Sequence, residues 1–202
     1  MLNSIVFTRF WKIALVVTLA LSTSSCLIFW TKTGNAEDPK NNNSILVYGY
    51  LDDSAAPFKF RWGQIRQVLP KTDEPFLDVK LNKEGLFYLD NLPVGSYTIE
   101  SLGGPEGFFS NTSWTWRFPN PSQRPEFKLT ELRASKPGLH FMGAYKIHES
   151  KKGGFFTSSE YTSVATETPS EVEILEQLRE KTRGSKWDSL VVAKINALKK
   201  SK

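Results

Sequence analysis

Few side chains in this sequence have types and spacing suited to chemistry. There are two histidines, His140 and His148, and one cysteine, Cys26. Zinc needs three or four convergent ligands, and two imidazoles eight residues apart beside Glu149 do not supply them. His140 reads as a strand residue and His148 as a loop-edge residue. The carboxylate pairs Asp52-Asp53 and Asp73-Glu74 offer oxygens of the kind Ca²⁺ accepts. They stand in turn-rich stretches, however, where Asp serves turns by bonding nearby backbone. A hydrolase elbow needs serine between glycines at a strand end, and no such motif occurs. The residues thus predict no metal, no cofactor and no enzymatic activity. Trp114 and Trp116 offer different chemistry, because residues two apart on a strand share a face. Exposed, they would stack on the flat faces of sugars or of a protein partner. Buried, they would fill the core.

Cys26 gains meaning from what precedes it. Basic Arg9 and Lys12 are followed by an apolar run over residues 13–21, then by Ser22, Thr23, Ser24 and Ser25. A thiol after a short apolar run can receive a diacylglycerol and become the mature N-terminus. The segment resembles the lipobox of bacterial lipoproteins. Ser24 and Ser25 match the small residues expected before the cysteine, whereas Thr23 stands where that pattern prefers Leu. The resemblance implies a signal peptide over residues 1–25 and a mature chain held to a cell-envelope membrane by diacylglycerol and an acyl chain such as palmitate on Cys26. Leu27 after the cysteine, where Asp would retain the protein under the enterobacterial sorting rule, implies the outer membrane, facing the periplasm or the cell surface. Two other readings stand beside it. Residues 13–30 approach the roughly 20 apolar residues of an uncleaved span, although Ser and Thr interrupt them. An ordinary export signal could instead be cut after Gly34-Asn35-Ala36. All three take the chain out of the cytoplasm.

Composition narrows the rest. With 26 Lys and Arg against 21 Asp and Glu the net charge is +5. Loss of Arg9 and Lys12 leaves 24 against 21, or +3. Nucleic-acid binding needs basic residues gathered on one face. Here they alternate with acids except at Lys199, Lys200 and Lys202, where cations suit a helix C-terminus. A lone cysteine permits no intrachain disulfide, so an ordinary hydrophobic core must stabilise the fold. About 175 residues remain after the leader, enough for one domain and an appendage.

That length divides by pattern. Residues 26–44 hold the lipidated cysteine and a stretch with Gly34, Asp38, Pro39 and Asn41-Asn42-Asn43, read as a flexible tether. Residues 45–148 read as β structure. Ile45 and Val47 alternate with Leu46, Tyr48 and Tyr50, while Phe58, Phe60, Trp62 and Ile65, then Leu77, Val79 and Leu81, alternate with charged residues. Such strands put one face on a core and the other in water, and without helices between them they favour an antiparallel sandwich. Residues 149–169 read as an exposed loop or hairpin that Phe155 and Phe156 dock.

The run from Gly85 to Ile99 is the most specific internal motif. Phe87 and Leu89 share one side of a strand, Asn91 and Pro93 set a turn, Gly95 supplies a positive φ, and Tyr97 and Ile99 begin the return strand on the core side. With its Leu92-Pro93-Val94-Gly95-Ser96-Tyr97 hairpin, the run resembles the carboxypeptidase regulatory-like, or transthyretin-like, β-sandwich family. The Pro137-Gly138 turn into an apolar strand extends the likeness. It implies a mainly β, antiparallel transthyretin-like sandwich serving as a binding, scaffold or accessory module.

The period changes in residues 170–202, which read as a C-terminal α-helical hairpin. Ser170 and Glu173 form a capping box, and Gly184 stops the first helix in a left-handed position. Ser185 to Asp188 repeats the box more weakly. Trp187, Leu190, Val191, Ile195 and Leu198 recur at helical spacing, giving a face that packs on the sandwich or receives a partner. The sequence therefore predicts a membrane-anchored envelope lipoprotein acting as a non-enzymatic binding or scaffold module for a protein partner. The alternative is a carbohydrate-binding module that uses Trp114 and Trp116 on a glycan.

Overall fold

The computed structural model describes residues 35–56, 59–105, 113–117, 131–151 and 160–201. Within them lie β1 (Ile45–Asp52), β2 (Trp62–Leu69), β3 (Phe76–Asp78), β4 (Lys80–Leu81), β5 (Leu86–Leu92), β6 (Gly95–Pro105), β7 (Ser113–Arg117), β8 (Glu131–Ala134), β9 (Gly138–Lys151), β10 (Glu160–Ala165), α1 (Glu171–Thr182) and α2 (Lys186–Lys200). The first sheet has the order β10-β9-β1-β5-β4. The second has the order β3-β2-β6-β7, with β8 also paired to β6. The chain is mainly β, with two sheets and a C-terminal helical pair.

The first sheet is mixed rather than wholly antiparallel. β1 runs antiparallel to β5 but parallel to β9, from Ile45 opposite Gly138 to Asp52 opposite Lys146. The reason is connectivity. β8 belongs to the second sheet, so the chain crosses at residues 135–137 and enters β9 from the end where β1 also begins.

Both faces of β1 and β5 are buried. Ile45, Val47 and Leu51 join Phe87, Leu92, Ile65, Tyr97, Ile99 and Leu102 between the sheets. Leu46, Tyr48, Leu86 and Tyr88 point the other way and are covered by Ile174, Leu175, Leu178, Trp187, Val191 and Ile195. The expectation of one wet face thus fails for the central strands. Their runs Ile45-Leu46-Val47-Tyr48 and Leu86-Phe87-Tyr88-Leu89 have the near-continuous apolar character of strands buried on both sides.

The motif around Gly95 works differently from a hairpin. β5 lies in the first sheet and β6 in the second, so Leu92-Pro93-Val94-Gly95 is a corner between sheets. Phe87, Tyr97 and Ile99 face the inter-sheet core as expected, with Leu89 packed against it. The left-handed backbone falls on Asn91, with φ 62°, and not on Gly95. Glycine is needed at 95 because a Cβ there would lie 2.1 Å from the Leu69 carbonyl oxygen. The Tyr97 hydroxyl donates to the Pro93 carbonyl and pins the corner.

The helical pair is a third layer. Ser170 and Glu173 form the reciprocal capping box, with Ser170 N–H to Glu173 Oε2 at 2.7 Å, and Gly184 has φ 85°. Ser185 makes no side-chain cap, and its hydroxyl donates instead to the Thr182 carbonyl. Trp187, Val191 and Ile195 are buried against the first sheet and Leu198 is partly buried there. The face offered to a partner is therefore occupied by the chain's own strands, and of those residues only Leu190, at 43%, is well exposed. At the far edge, β10 pairs back on β9 from Glu160 opposite Lys151 to Ala165 opposite Tyr145. Phe155 and Phe156 lie outside the described residues.

Two substitutions probe these layers. Trp187→Ala empties the largest fully buried side chain among the described residues and is expected to lower stability by about 3–5 kcal/mol in denaturant titration. Gly95→Ala forces the corner off Leu69 and is expected to lower it by about 1–3 kcal/mol, seen as a fall in melting temperature.

Candidate functional site

The polar residues that the sequence offers for chemistry do not converge. His140 and His148 both lie on β9, and His140 Nε2 sits 2.7 Å from the Lys136 carbonyl oxygen, its N–H donating to it. Asp52 accepts from Ser54 N–H at 2.9 Å and pairs with Lys146. Burial alone would raise its carboxyl, but the Ser54 bonds and the Lys146 charge outweigh that and hold it below the usual range. Asp53 accepts from Phe60 N–H at 2.9 Å and Lys59 Nζ at 2.7 Å. Both aspartates close the β1–β2 turn. Among the described residues no three His, Cys, Asp or Glu side chains gather as a metal would need. The backbone register sets Trp116 opposite Leu102 and Trp114 opposite Gly104. Their side chains, and Cys26, lie outside the described residues.

Two clusters do bring distant parts of the chain together. The first is a strap formed by residues 35–44. The sequence suggests a free tether, but this stretch is bound to the domain. Ala36 is buried, and its N–H donates to the Lys181 carbonyl at the end of α1, at 2.8 Å. Glu37 N–H donates to Asp90 Oδ2 at 2.6 Å, Lys40 N–H to Asn91 Oδ1 at 2.7 Å, and Asn91 Nδ2 returns a bond to the Asp38 carbonyl. Asn41 and Ser44 then close a turn, with Asn43 N–H on Asn41 Oδ1 at 2.8 Å, and deliver the chain into β1. The low apolar content that suggested a tether is thus the material of turns and caps.

The strap completes α2. The first N–H groups of a helix have no partner inside it, and they favour a negative group. Asp38 Oδ1 accepts from Lys186 N–H at 2.7 Å, from 148 residues away. Glu37 O accepts from the Trp187 indole Nε1 at 2.8 Å. A buried indole needs a partner for its N–H, and the strap supplies it. Local sequence favours Ser185 as the cap, and no signal along the helix itself reveals Asp38.

The second cluster joins β1 to both helices. The Tyr48 hydroxyl donates to Glu171 Oε1 at 2.6 Å, Lys194 Nζ lies 2.8 Å from the same oxygen, and that ammonium stands 5.3 Å from the Tyr48 ring centroid. Burial pushes the Tyr48 phenol far above its ordinary value, and the bond to Glu171 and its charge push the same way. The phenol therefore stays protonated and acts as a donor. Acid, base and phenol satisfy one another, so the arrangement fastens the helical layer to the first sheet and leaves no group of the three poised to react.

Comparison of the chain with protein-family models, curated proteins and solved structures returns no match. The strap makes a direct forecast. Asp38→Ala removes the remote cap of α2, and a loss of about 0.5–2 kcal/mol is expected. Hydrogen exchange at the Lys186 and Trp187 amides should quicken well beyond that of β1, which a merely global loss of stability would not produce.

Proposed function

We propose that this chain is a lipid-anchored envelope protein whose domain serves as a non-enzymatic binding or scaffold module for a protein partner. The observation that carries the reading is the position of Ala36. Cleavage after Ala36 would strip a buried side chain from the helix-covered layer and delete the N–H bond to Lys181. Processing before Cys26 leaves the strap whole. The basic start, the short apolar run and the small residues before Cys26 support acylation at that thiol.

A binding or scaffold role is supported by the use of the polar groups. Asp38, Asp53, Asp90 and Glu171 each hold elements of the domain together. The finer assignment of the sandwich to a transthyretin-like type rests on the run from Gly85 to Ile99, and modules of that family serve as binding or accessory domains.

Intact-mass analysis of the membrane fraction tests the anchor. The wild-type chain is expected to begin at Cys26 and to exceed its polypeptide mass by a diacylglycerol and an acyl group, both lost in Cys26→Ala. A wild-type chain that begins at Glu37 or retains Met1 would overturn the reading.

A further inference from the structure

One end of the domain gathers features that the reading above leaves unused. β1 and β9 both begin there, with Ile45 opposite Gly138, and β5 ends there, with Leu92 opposite Ile45. In the second sheet Leu69 pairs with Ser96 and Ala134 with Gly95, so β2 and β8 end where β6 starts. The strap and the turn between α1 and α2 are bonded at the same end through Ala36 to Lys181 and Asp38 to Lys186. The chain therefore comes into the domain from the Cys26 side at this end.

The same end carries the β2–β3 turn, whose flanks are exposed and apolar. Val68, Leu69 and Phe76 are 37%, 54% and 51% exposed, and Gln67 N–H donates to the Pro75 carbonyl to hold the two flanks together. They are three of the five exposed large hydrophobics among the described residues. Exposed apolar side chains clustered on one tip mark an interaction site more than scattered ones do. The charges around them are mixed. The turn itself sets Lys71 beside Asp73 and Glu74, all three exposed. Attraction to charged headgroups is therefore not the main force, and apolar contact is.

We propose that this tip is a membrane-contacting element: the domain stands end-on against the bilayer that anchors it, with Leu69 and Phe76 in the interface. The inference rests on the lipid anchor. Ten residue steps separate Cys26 from the docked Ala36, a reach of at most about 35 Å. A tip confined that close to a bilayer meets it at a high effective concentration, so two apolar side chains suffice for contact that a free domain would make only weakly.

Site-directed fluorescence tests this in the full acylated protein. An acylated Cys26 has no free thiol, so Leu69→Cys or Phe76→Cys carries the one reactive group. Ser54→Cys, in the exposed loop after β1 at the opposite end, is the control. Each labelled protein is placed in phosphatidylethanolamine–phosphatidylglycerol vesicles containing nitroxide lipid. Quenching at 69 and 76 is expected to exceed that at 54 several-fold. Equal quenching at the three positions, or none at 69 and 76, overturns the end-on contact. Intact mass of the same sample separates the two failures. Acyl groups with an unquenched tip refute the contact and leave the anchor standing, whereas their absence refutes the anchor and this inference with it.

Discussion

An apolar sheet face cannot be left in water, and the outer face of the first sheet is apolar along both central strands. Leu46, Tyr48, Leu86 and Tyr88 require a cover, and the helical pair is that cover. Their burial is the interaction on which the other features depend, because hydrophobic area removed from water is the chief favourable term in folding. Once α1 and α2 lie on the sheet, the ends of both helices and the Trp187 indole need partners. The strap supplies them.

That dependence explains why polar residues cluster where they do. Asp38, Asp90 and Asn91 each accept from a backbone N–H of the strap or of α2 at the exposed rim of the helical layer. The Trp187 indole is the donor on a buried side chain, and Glu37 O meets it, because an unmet buried donor costs more than its bond contributes. Tyr48 plays the same part from inside the layer. Its ring packs with Phe141 while its hydroxyl reaches Glu171, so one side chain serves both the apolar cover and the polar rim.

Much of this was legible in the sequence wherever the deciding forces are local. Alternation exposed the two faces of β1, and Ser170, Glu173 and Gly184 marked α1, since caps act within four residues. The parts that escaped depend on distant partners. Leu92 to Gly95 looks the same whether the chain returns within a sheet or crosses to another, and only the pairing of β6 with β2 decides it. Residues 35–44 read as a tether because their partners sit 51 to 150 positions away. Of the candidate site, Cys26 and the residues before it lie outside the described residues, whereas the exposed tip at Leu69 and Phe76 emerged only when the topology placed it beside the strap. The helix stripe was read correctly as apolar, but its occupant is the sheet.

The parallel pairing of β1 with β9 has a kinetic consequence. Ile45 meets Gly138, and Asp38 meets Lys186 across 148 residues. Closing loops of that length carries an entropic cost that must be met before the contacts reward it, so folding is slow and waits for distant chain. In the first sheet β1 is paired on one side only until β9 has been made, and the outer face lacks a cover until α2 has. A nascent chain therefore cannot complete the first sheet and its cover until β9 and α2 have both emerged. The topology thus makes assembly of the sheet a late event, timed by the arrival of β9 and α2 rather than by the strands that come first in sequence.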